Sequence, residues 1–295
     1  PSMEMPLSSH RTISLRGFRW PAGAIAGHLK LRKLIVLWDD NGISIDGPVS
    51  LADSTDQLAR FAASGWATAR VDGHDGEAVA RAIEKAKASD RPSFIACKTT
   101  IGYGAPKKAG TAASHGSPLG AEEIEGARKA LGWPHAPFVI PDEALAAWRA
   151  HGRRGRNDRQ QWRARVSNAA DREAFEAALA GDVDAVLAKA IGDYKQRLAK
   201  EPPTVATRKA SEMALEVINA ATPLTLGGSA DLTGSNNTFV KGTPAFDAPD
   251  YAGRYVHYGI REHGMAAAMN GMALHGGVIP YSGTFLVFAD YLRPA

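Results

Sequence analysis

Three side chains with oxygen atoms, Asp39, Asp40 and Asn41, directly follow an apolar run at residues 34–38. The run is typical of a buried strand, and Gly42 is typical of the turn that ends it. Carboxylate, amide and turn-carbonyl oxygens at the end of a strand suit a hard cation such as Mg²⁺ or Ca²⁺. Spacing alone favours a simpler interpretation, an Asx turn before the next element.

A second candidate site surrounds Glu262, which lies between Arg261 and His263 after another predicted strand. A carboxyl group in such company is a candidate general acid or base with a tuned pKa. The alternative is that Glu262 only stabilises the start of the helix that follows, where an acidic residue favours the macrodipole.

Three aromatic residues recur at intervals of three: Phe285, Phe288 and Tyr291. On a helix they would share one face. Such a stripe is usually part of a hydrophobic core.

The first half of the chain contains the elements that must position Asn41. Apolar periodicity predicts alternating strands and helices, which indicates a parallel sheet with right-handed crossovers. Ligands bind at the loops that follow such strands. The predicted elements are a strand at 34–38, a helix at 53–64, a strand at 66–71, a helix through 79–86 and a strand at 93–99.

The second half repeats this organisation around Glu262. Between the two halves, residues 104–120 form a predicted long loop, and residues 152–203 a helical linker poor in large apolar side chains. The second unit is predicted to contain a helix at 207–221, strands at 224–226, 255–258 and 278–281, a helix at 261–274 and a further helix from Thr284.

Composition narrows the class of protein. The 295 residues are 44% hydrophobic and 22% charged, which excludes a largely disordered, collagen-like or coiled-coil chain. No apolar run reaches the ~18 residues of a membrane helix. The net charge of +4 comes largely from arginines between 149 and 165, interpreted as a solvated face, so neither a nucleic acid nor a membrane is predicted as a partner. The single cysteine, Cys97, favours a reducing compartment and predicts a cytoplasmic location.

Taken together, nine short stretches in colinear order resemble the transketolase family of thiamine-diphosphate enzymes. Each stretch is weak evidence alone, and their order is what makes the resemblance specific. They are residues 27–31, 39–47, 98–104, 114–120, 206–209, 227–233, 235–236, 258–265 and 281–285.

The resemblance implies an α/β fold made of parts of two thiamine-diphosphate-binding domains, with parallel sheets flanked by helices. It implies transfer of a two-carbon ketol unit from a ketose phosphate to an aldose phosphate. The cofactors implied are thiamine diphosphate and Mg²⁺ (or Ca²⁺). The cofactor performs the carbanion chemistry, and the protein supplies orientation and electrostatics.

On the diphosphate side, the resemblance assigns two metal ligands, the Asn41 side chain and the Ile43 carbonyl. Ile45 and Ile101 match apolar walls beside the cofactor. His115 matches a histidine near the diphosphate and thiazolium that is implicated in proton transfer and substrate binding.

On the pyrimidine side, Glu262 matches the catalytic glutamate that hydrogen-bonds a pyrimidine nitrogen and favours the reactive form of the cofactor. Asp231 matches an acidic residue near the thiazolium. Arg208 and Ser235 match groups that bind the sugar phosphate, for which a guanidinium fork is suited. The aromatic pocket around the pyrimidine is matched by Phe285, Phe288 and Tyr291.

The resemblance also implies a homodimer, because in this family the two halves of one site come from different subunits. It predicts four segments along the chain. These are an unmatched segment at 1–26, the later part of a pyrophosphate-binding domain at 27–151, the linker at 152–203 and the first part of a pyrimidine-binding domain at 204–295.

The chain departs from the family at one informative place. Family members have a Gly-Asp-Gly whose aspartate is a third metal ligand, and this sequence has no Gly-Asp-Gly. The C-terminal domain of the family is also without a counterpart. We therefore expect these 295 residues to show negligible ketol transfer on their own. The alternatives are a non-catalytic fragment, or a related enzyme such as dihydroxyacetone synthase.

Overall fold

The computed structural model describes residues 11–14 and 20–295, and the side chains from residue 22 onward. The predicted unmatched segment at 1–26 therefore lies partly outside the described residues. The strands are β1 Arg11–Ser14, β2 Leu34–Asp40, β3 Ile43–Ser44, β4 Gly47–Pro48, β5 Ala67–Asp72, β6 Ser93–Lys98, β7 Thr225–Ser229, β8 Tyr255–His257 and β9 Ile279–Pro280.

The α-helices are α1 Trp20–His28, α2 Gln57–Ala63, α3 Gly76–Lys87, α4 Ala121–Ala130, α5 Asp142–Arg154, α6 Arg156–Ser167, α7 Arg172–Ala180, α8 Asp184–Lys200, α9 Thr207–Ala221, α10 Thr233–Asn236, α11 Glu262–His275 and α12 Ala289–Leu292. Short 3-10 helices lie at Val49–Leu51, Ala112–Ser114 and Leu286–Phe288. None of the helices in the described ranges is both long and apolar enough to cross a membrane.

The chain divides into two compact units. The first contains residues 26–165 and the second residues 166–295, together with the start of α1. The predicted linker range of 152–203 contains the end of α5 and the helices α6, α7 and α8, which short non-helical stretches separate.

A parallel four-stranded sheet organises the first unit, in the order β1-β2-β6-β5. Successive side chains of a strand point to opposite faces. On β2, Val36 packs with Phe61 and Phe94 on one face, while Ile35 packs with Ile95 on the other. Because both faces of the sheet are covered by apolar side chains, the sequences of β2 and β6 are nearly continuous apolar runs.

A three-stranded parallel sheet organises the second unit, in the order β8-β7-β9. Its core contains Val256, Tyr258 and Met265. Tyr255 is fully buried, and its hydroxyl bonds to the hydroxyls of Thr233 (3.0 Å) and Thr238 (2.8 Å).

Two sequence predictions in this unit are corrected. The strand predicted at 224–226 continues through Gly227 and Gly228 to Ser229, because these residues pair with strand β8. Their backbone lies against the rings of Tyr281 and Tyr258, where a side chain would not fit. The helix predicted from Thr284 begins later, as a 3-10 turn at Leu286 that leads into α12.

The boundary between the predicted segments at 1–26 and 27–151 lies inside helix α1. Ala26 is buried in the first unit's core, and a Cβ on Gly27 would overlap the Ser64 carbonyl. Helix α1 is thus packed closely into the fold at Ala26 and Gly27.

Candidate functional site

Chemistry-bearing side chains collect at the carboxyl end of each parallel sheet. In the first unit Asn41 follows β2, while Ile101 and His115 lie in the segment after β6. In the second unit Asp231 and Ser235 follow β7, Glu262 follows β8 and Phe285 follows β9. This is the edge at which open parallel sheets bind ligands.

Asp39 orients the amide of Asn41. Its carboxylate accepts from Asn41 Nδ2 at 3.3 Å and from the Thr99 hydroxyl at the end of the neighbouring strand. Asn41 Oδ1 accepts from the Ile43 backbone N–H at 2.9 Å. An amide oxygen has two acceptor positions, so one remains for a cation. The Asn41 donor thus fits the metal role that the resemblance assigns to it.

The next residues form a tight hairpin beside Asn41. Strands β3 and β4 pair through Ile43–Pro48 and Ser44–Gly47, which leaves Ile45 at the tip with 75% of its surface exposed. An exposed isoleucine here offers an apolar surface to a ligand. In the described ranges, no group of three or more His, Cys, Asp or Glu side chains is arranged to hold a metal ion.

The segment after β6 is a loop with little regular secondary structure, and hydrogen bonds hold its backbone in place. The Ile101 carbonyl accepts from Gly110 N at 2.8 Å. Buried Glu123 on α4 accepts from the backbone N–H groups of Lys107 (3.0 Å) and Lys108 (3.1 Å), and these bonds lower the pKa of its carboxyl group. The loop is thereby held at both ends of residues 101–110, and it carries Ile101 and, at its 3-10 turn, half-buried His115.

Glu262 is the buried acidic group of the second unit, with 7% of its surface exposed. It occupies the first turn of α11 and accepts from the Thr284 hydroxyl at 3.4 Å. Arg261, just before it, donates to the Tyr258 carbonyl at 2.9 Å and not to Glu262. A carboxyl group so placed has one long hydrogen bond and retains capacity for a ligand.

Ser229 ties the turn that carries Asp231 to the segment that precedes Thr284. Its buried hydroxyl donates to the Gly283 carbonyl at 3.2 Å and accepts from Leu232 N at 3.1 Å. Asp231 lies between Ser229 and Leu232 in sequence. Its backbone is in the left-handed region, with φ of 62°, and its side chain is exposed. The turn therefore presents a carboxylate outward at the carboxyl end of β7.

Arg208 and Ser235 are 27 residues apart in sequence, and the structure brings them together. The Arg208 guanidinium donates to the Ser235 carbonyl at 3.5 Å. The guanidinium is otherwise exposed, so most of its donors face solvent. The pair forms a small donor-rich surface that suits a phosphate.

The three aromatic side chains form an exposed row. The Phe285 and Phe288 rings stack with centroids 6.3 Å apart, and Phe288 and Tyr291 follow at 6.2 Å. Tyr291 is 64% exposed, so the stripe is not part of the core of this chain. A stacked, exposed row of rings offers a flat apolar surface.

The burial of Tyr258 predicts that the stability of the chain depends on pH. Burial raises the pKa of Tyr258 to about 12, above the ordinary value of about 10. The folded chain favours the neutral phenol. The contribution of Tyr258 to the free energy of unfolding is therefore complete below pH ~10 and is lost as the pH rises to ~12. It amounts to at most about 3 kcal/mol. We expect the free energy of unfolding, measured in urea, to fall less steeply between pH 9 and 12 in Tyr258→Phe than in the wild type. Equal slopes would contradict the prediction.

Sequence reasoning missed three residues that organise these sites: Asp39 as an orienting group, Ser229 as a tie and His74 as a loop contact. Asp39 and Ser229 lie within stretches that carried the resemblance, and that position was the available signal. His74 lies in a stretch interpreted only as a turn, with no signal beyond its place after a strand.

Two family models match consecutive parts of the chain. Residues 15–186 match "Transketolase, thiamine diphosphate binding domain", and residues 203–295 match "Transketolase, pyrimidine binding domain". The first match includes residues 15–26, which lie in the predicted unmatched segment at 1–26.

Curated and solved relatives agree with these matches. A transketolase of Cereibacter sphaeroides is 56% identical over 281 residues, covering 95% of this chain and 43% of the relative. The crystal structure of a Campylobacter jejuni transketolase superposes with a TM-score of 0.83 at 33% identity, covering 96% of this chain and 44% of that one. A Pichia stipitis transketolase described as a complex with sedoheptulose 7-phosphate gives a TM-score of 0.81 at 35% identity, covering 96% and 44%. The chain thus spans somewhat under half the length of the relatives that it matches.

Proposed function

Because this chain belongs to the transketolase family, we propose that it supplies both halves of a thiamine diphosphate site. The reaction proposed is that of a full-length family member, transfer of a two-carbon ketol unit from a ketose phosphate to an aldose phosphate, to which this chain contributes the cofactor site. The observation that carries the proposal is the placement of the two donor sets, one around Asn41 and one around Glu262, at the carboxyl ends of two parallel sheets.

On the diphosphate side, the proposal gives Asn41 Oδ1 and the Ile43 carbonyl to Mg²⁺ (or Ca²⁺). The orientation imposed on the Asn41 amide by Asp39 supports this role. Ile45 and Ile101 would exclude water beside the cofactor. His115 would hold a proton near the reacting carbons and contact the substrate.

On the pyrimidine side, Glu262 would hold a proton against a pyrimidine nitrogen, and its burial supports this role. The ring row of Phe285, Phe288 and Tyr291 would receive the pyrimidine. When bound, thiamine diphosphate supplies the carbanion chemistry with which carbon–carbon bonds are broken and made. Asp231 would orient the thiazolium.

Substrate binding is assigned to the Arg208–Ser235 surface together with His115. The guanidinium of Arg208 is exposed and keeps donors for a sugar phosphate. We expect Arg208→Ala to weaken sugar-phosphate binding by about tenfold, the scale of one charge-assisted hydrogen bond, while Arg163→Ala on the linker leaves it unchanged. Isothermal titration with sedoheptulose 7-phosphate measures both, and equal losses in the two variants would argue against a specific site.

A homodimer is part of the proposal, with the diphosphate side of each site on one copy and the pyrimidine side on the other. The exposed ring row supports it, since flat apolar surface of this kind is typical of surfaces that become covered. Sedimentation of the chain with and without cofactor tests the stoichiometry. A cytoplasmic location belongs to the proposal too and rests on the single cysteine.

The function is tested by titrating the chain with thiamine diphosphate in 5 mM MgCl₂ and following tryptophan fluorescence. We expect saturable binding that is lost in EDTA, and negligible ketol transfer, because the sequence has no Gly-Asp-Gly. Appreciable transfer by the purified chain would refute the expectation of inactivity. The absence of any cofactor binding would favour the alternative, a non-catalytic fragment.

A further inference from the structure

The turn after β5 brings a histidine against the end of the neighbouring strand. Asp72 Oδ1 accepts from His74 N at 2.9 Å, and Gly73 N donates to the Lys98 carbonyl at 2.7 Å. A Cβ on Gly73 would lie 2.5 Å from Thr99 Cγ2, so only glycine allows this close approach. The turn is therefore held closely against the carboxyl end of β6.

The imidazole of His74 makes two contacts with the segment after β6. Its Nε2 accepts from the backbone N–H of Thr100 at 2.9 Å, and its ring stacks on Tyr103 with centroids 4.0 Å apart. An accepting Nε2 belongs to the neutral imidazole, with the proton on Nδ1. The contact with Thr100 joins residues that are 26 positions apart in sequence.

We call residues 99–120, which follow β6, the cofactor loop. Thr100 directly precedes Ile101, so the hydrogen bond from Thr100 to His74 holds the start of this loop in place. The Ile101 carbonyl in turn accepts from Gly110, and Glu123 holds the backbone at Lys107 and Lys108. The described contacts thus hold this loop at its start through His74 and in its middle through Glu123.

We propose that His74 is a positioning residue for the thiamine diphosphate site. Its neutral ring holds Thr100 and Tyr103, and thereby places Ile101 and the cofactor loop for binding. The inference rests on the proposed function, and it gives His74 no contact with the cofactor or the reacting atoms.

Two substitutions of His74 distinguish the role of its hydrogen-bond acceptor, which binds Thr100, from the role of its ring, which stacks on Tyr103. His74→Phe keeps an aromatic face for Tyr103 and removes the acceptor. His74→Gln removes the ring and places an amide oxygen near the position of Nε2. His151→Phe on the exposed face of α5 is the matched control.

The experiment measures amide hydrogen exchange at Thr100 by mass spectrometry, the affinity for thiamine diphosphate in MgCl₂, and the free energy of unfolding in urea. We expect His74→Phe to raise exchange about fivefold and to weaken cofactor affinity three- to tenfold, at unchanged global stability. His74→Gln is expected to restore both, and His151→Phe to change neither.

Unchanged exchange in His74→Phe would overturn the proposal, as would faster exchange with unchanged cofactor affinity or a glutamine variant no better than phenylalanine. A wild-type chain that binds no cofactor would contradict the proposed function. In that case the exchange measurement alone decides whether His74 holds Thr100.

Discussion

Replacement of Asp39 by alanine is expected to weaken binding of Mg²⁺ and thiamine diphosphate by about 10- to 100-fold, the usual cost of losing a group that orients a metal ligand. The Asp39 carboxylate holds Asn41 Nδ2 and, on the neighbouring strand, the Thr99 hydroxyl. Without it the amide can rotate and offer its NH₂ group to the cation. Fluorescence titration with the cofactor at several Mg²⁺ concentrations measures the loss.

The control for charge is Asp46→Ala, which removes a carboxylate from the exposed tip of the same hairpin. We expect Asp46→Ala to retain nearly wild-type affinity. If the two variants lose affinity equally, the general negative charge of this edge matters and the orientation of Asn41 does not.

Replacement of Gly27 by alanine is expected to lower the free energy of unfolding by about 2–3 kcal/mol, the cost of overpacking a core. The new Cβ would overlap the Ser64 carbonyl, a backbone atom that cannot move aside as a side chain can. Urea unfolding monitored by circular dichroism measures the change.

The matched control is Gly192→Ala inside α8, where an added Cβ meets nothing within 4 Å. There alanine should stabilise the helix by about 0.5–1 kcal/mol, because it has the higher helix propensity. A neutral Gly27→Ala would mean that α1 and Ser64 separate readily, which contradicts the packing described for this helix.

Much of the fold was predictable because the signals are local. The apolar run of β2 and the 3.6-residue periodicity of α9 predicted those elements nearly to the residue. The predictions were wrong where a distant neighbour decides the local structure. The strand predicted at 224–226 extends to Ser229, because Gly227 and Gly228 pair with Tyr255 and Val256 of β8.

The sequence predicted which residues belong to the candidate site, but not how their side chains are placed in space. Its residues were named by their resemblance to a family pattern, and their roles remain predictions. The stripe of Phe285, Phe288 and Tyr291 illustrates the difference: its spacing is usual for a core, and only the structure shows that Phe285 and Tyr291 are exposed.

The sequence by itself determined the family, the two α/β units and the order of the chemical groups along the chain, since all of these depend on residue types and short spacings. The tertiary structure decided which atom of Asn41 keeps an open acceptor position, which histidine contacts Thr100 and which carbonyl contacts Arg208. Two of these contacts, His74–Thr100 and Arg208–Ser235, join residues 26 and 27 positions apart, and the orientation of Asn41 depends on an Asp39 carboxylate that also bonds Thr99, 60 positions away. Such contacts depend on how parallel strands align at a shared edge, and that alignment is a property of the folded sheet.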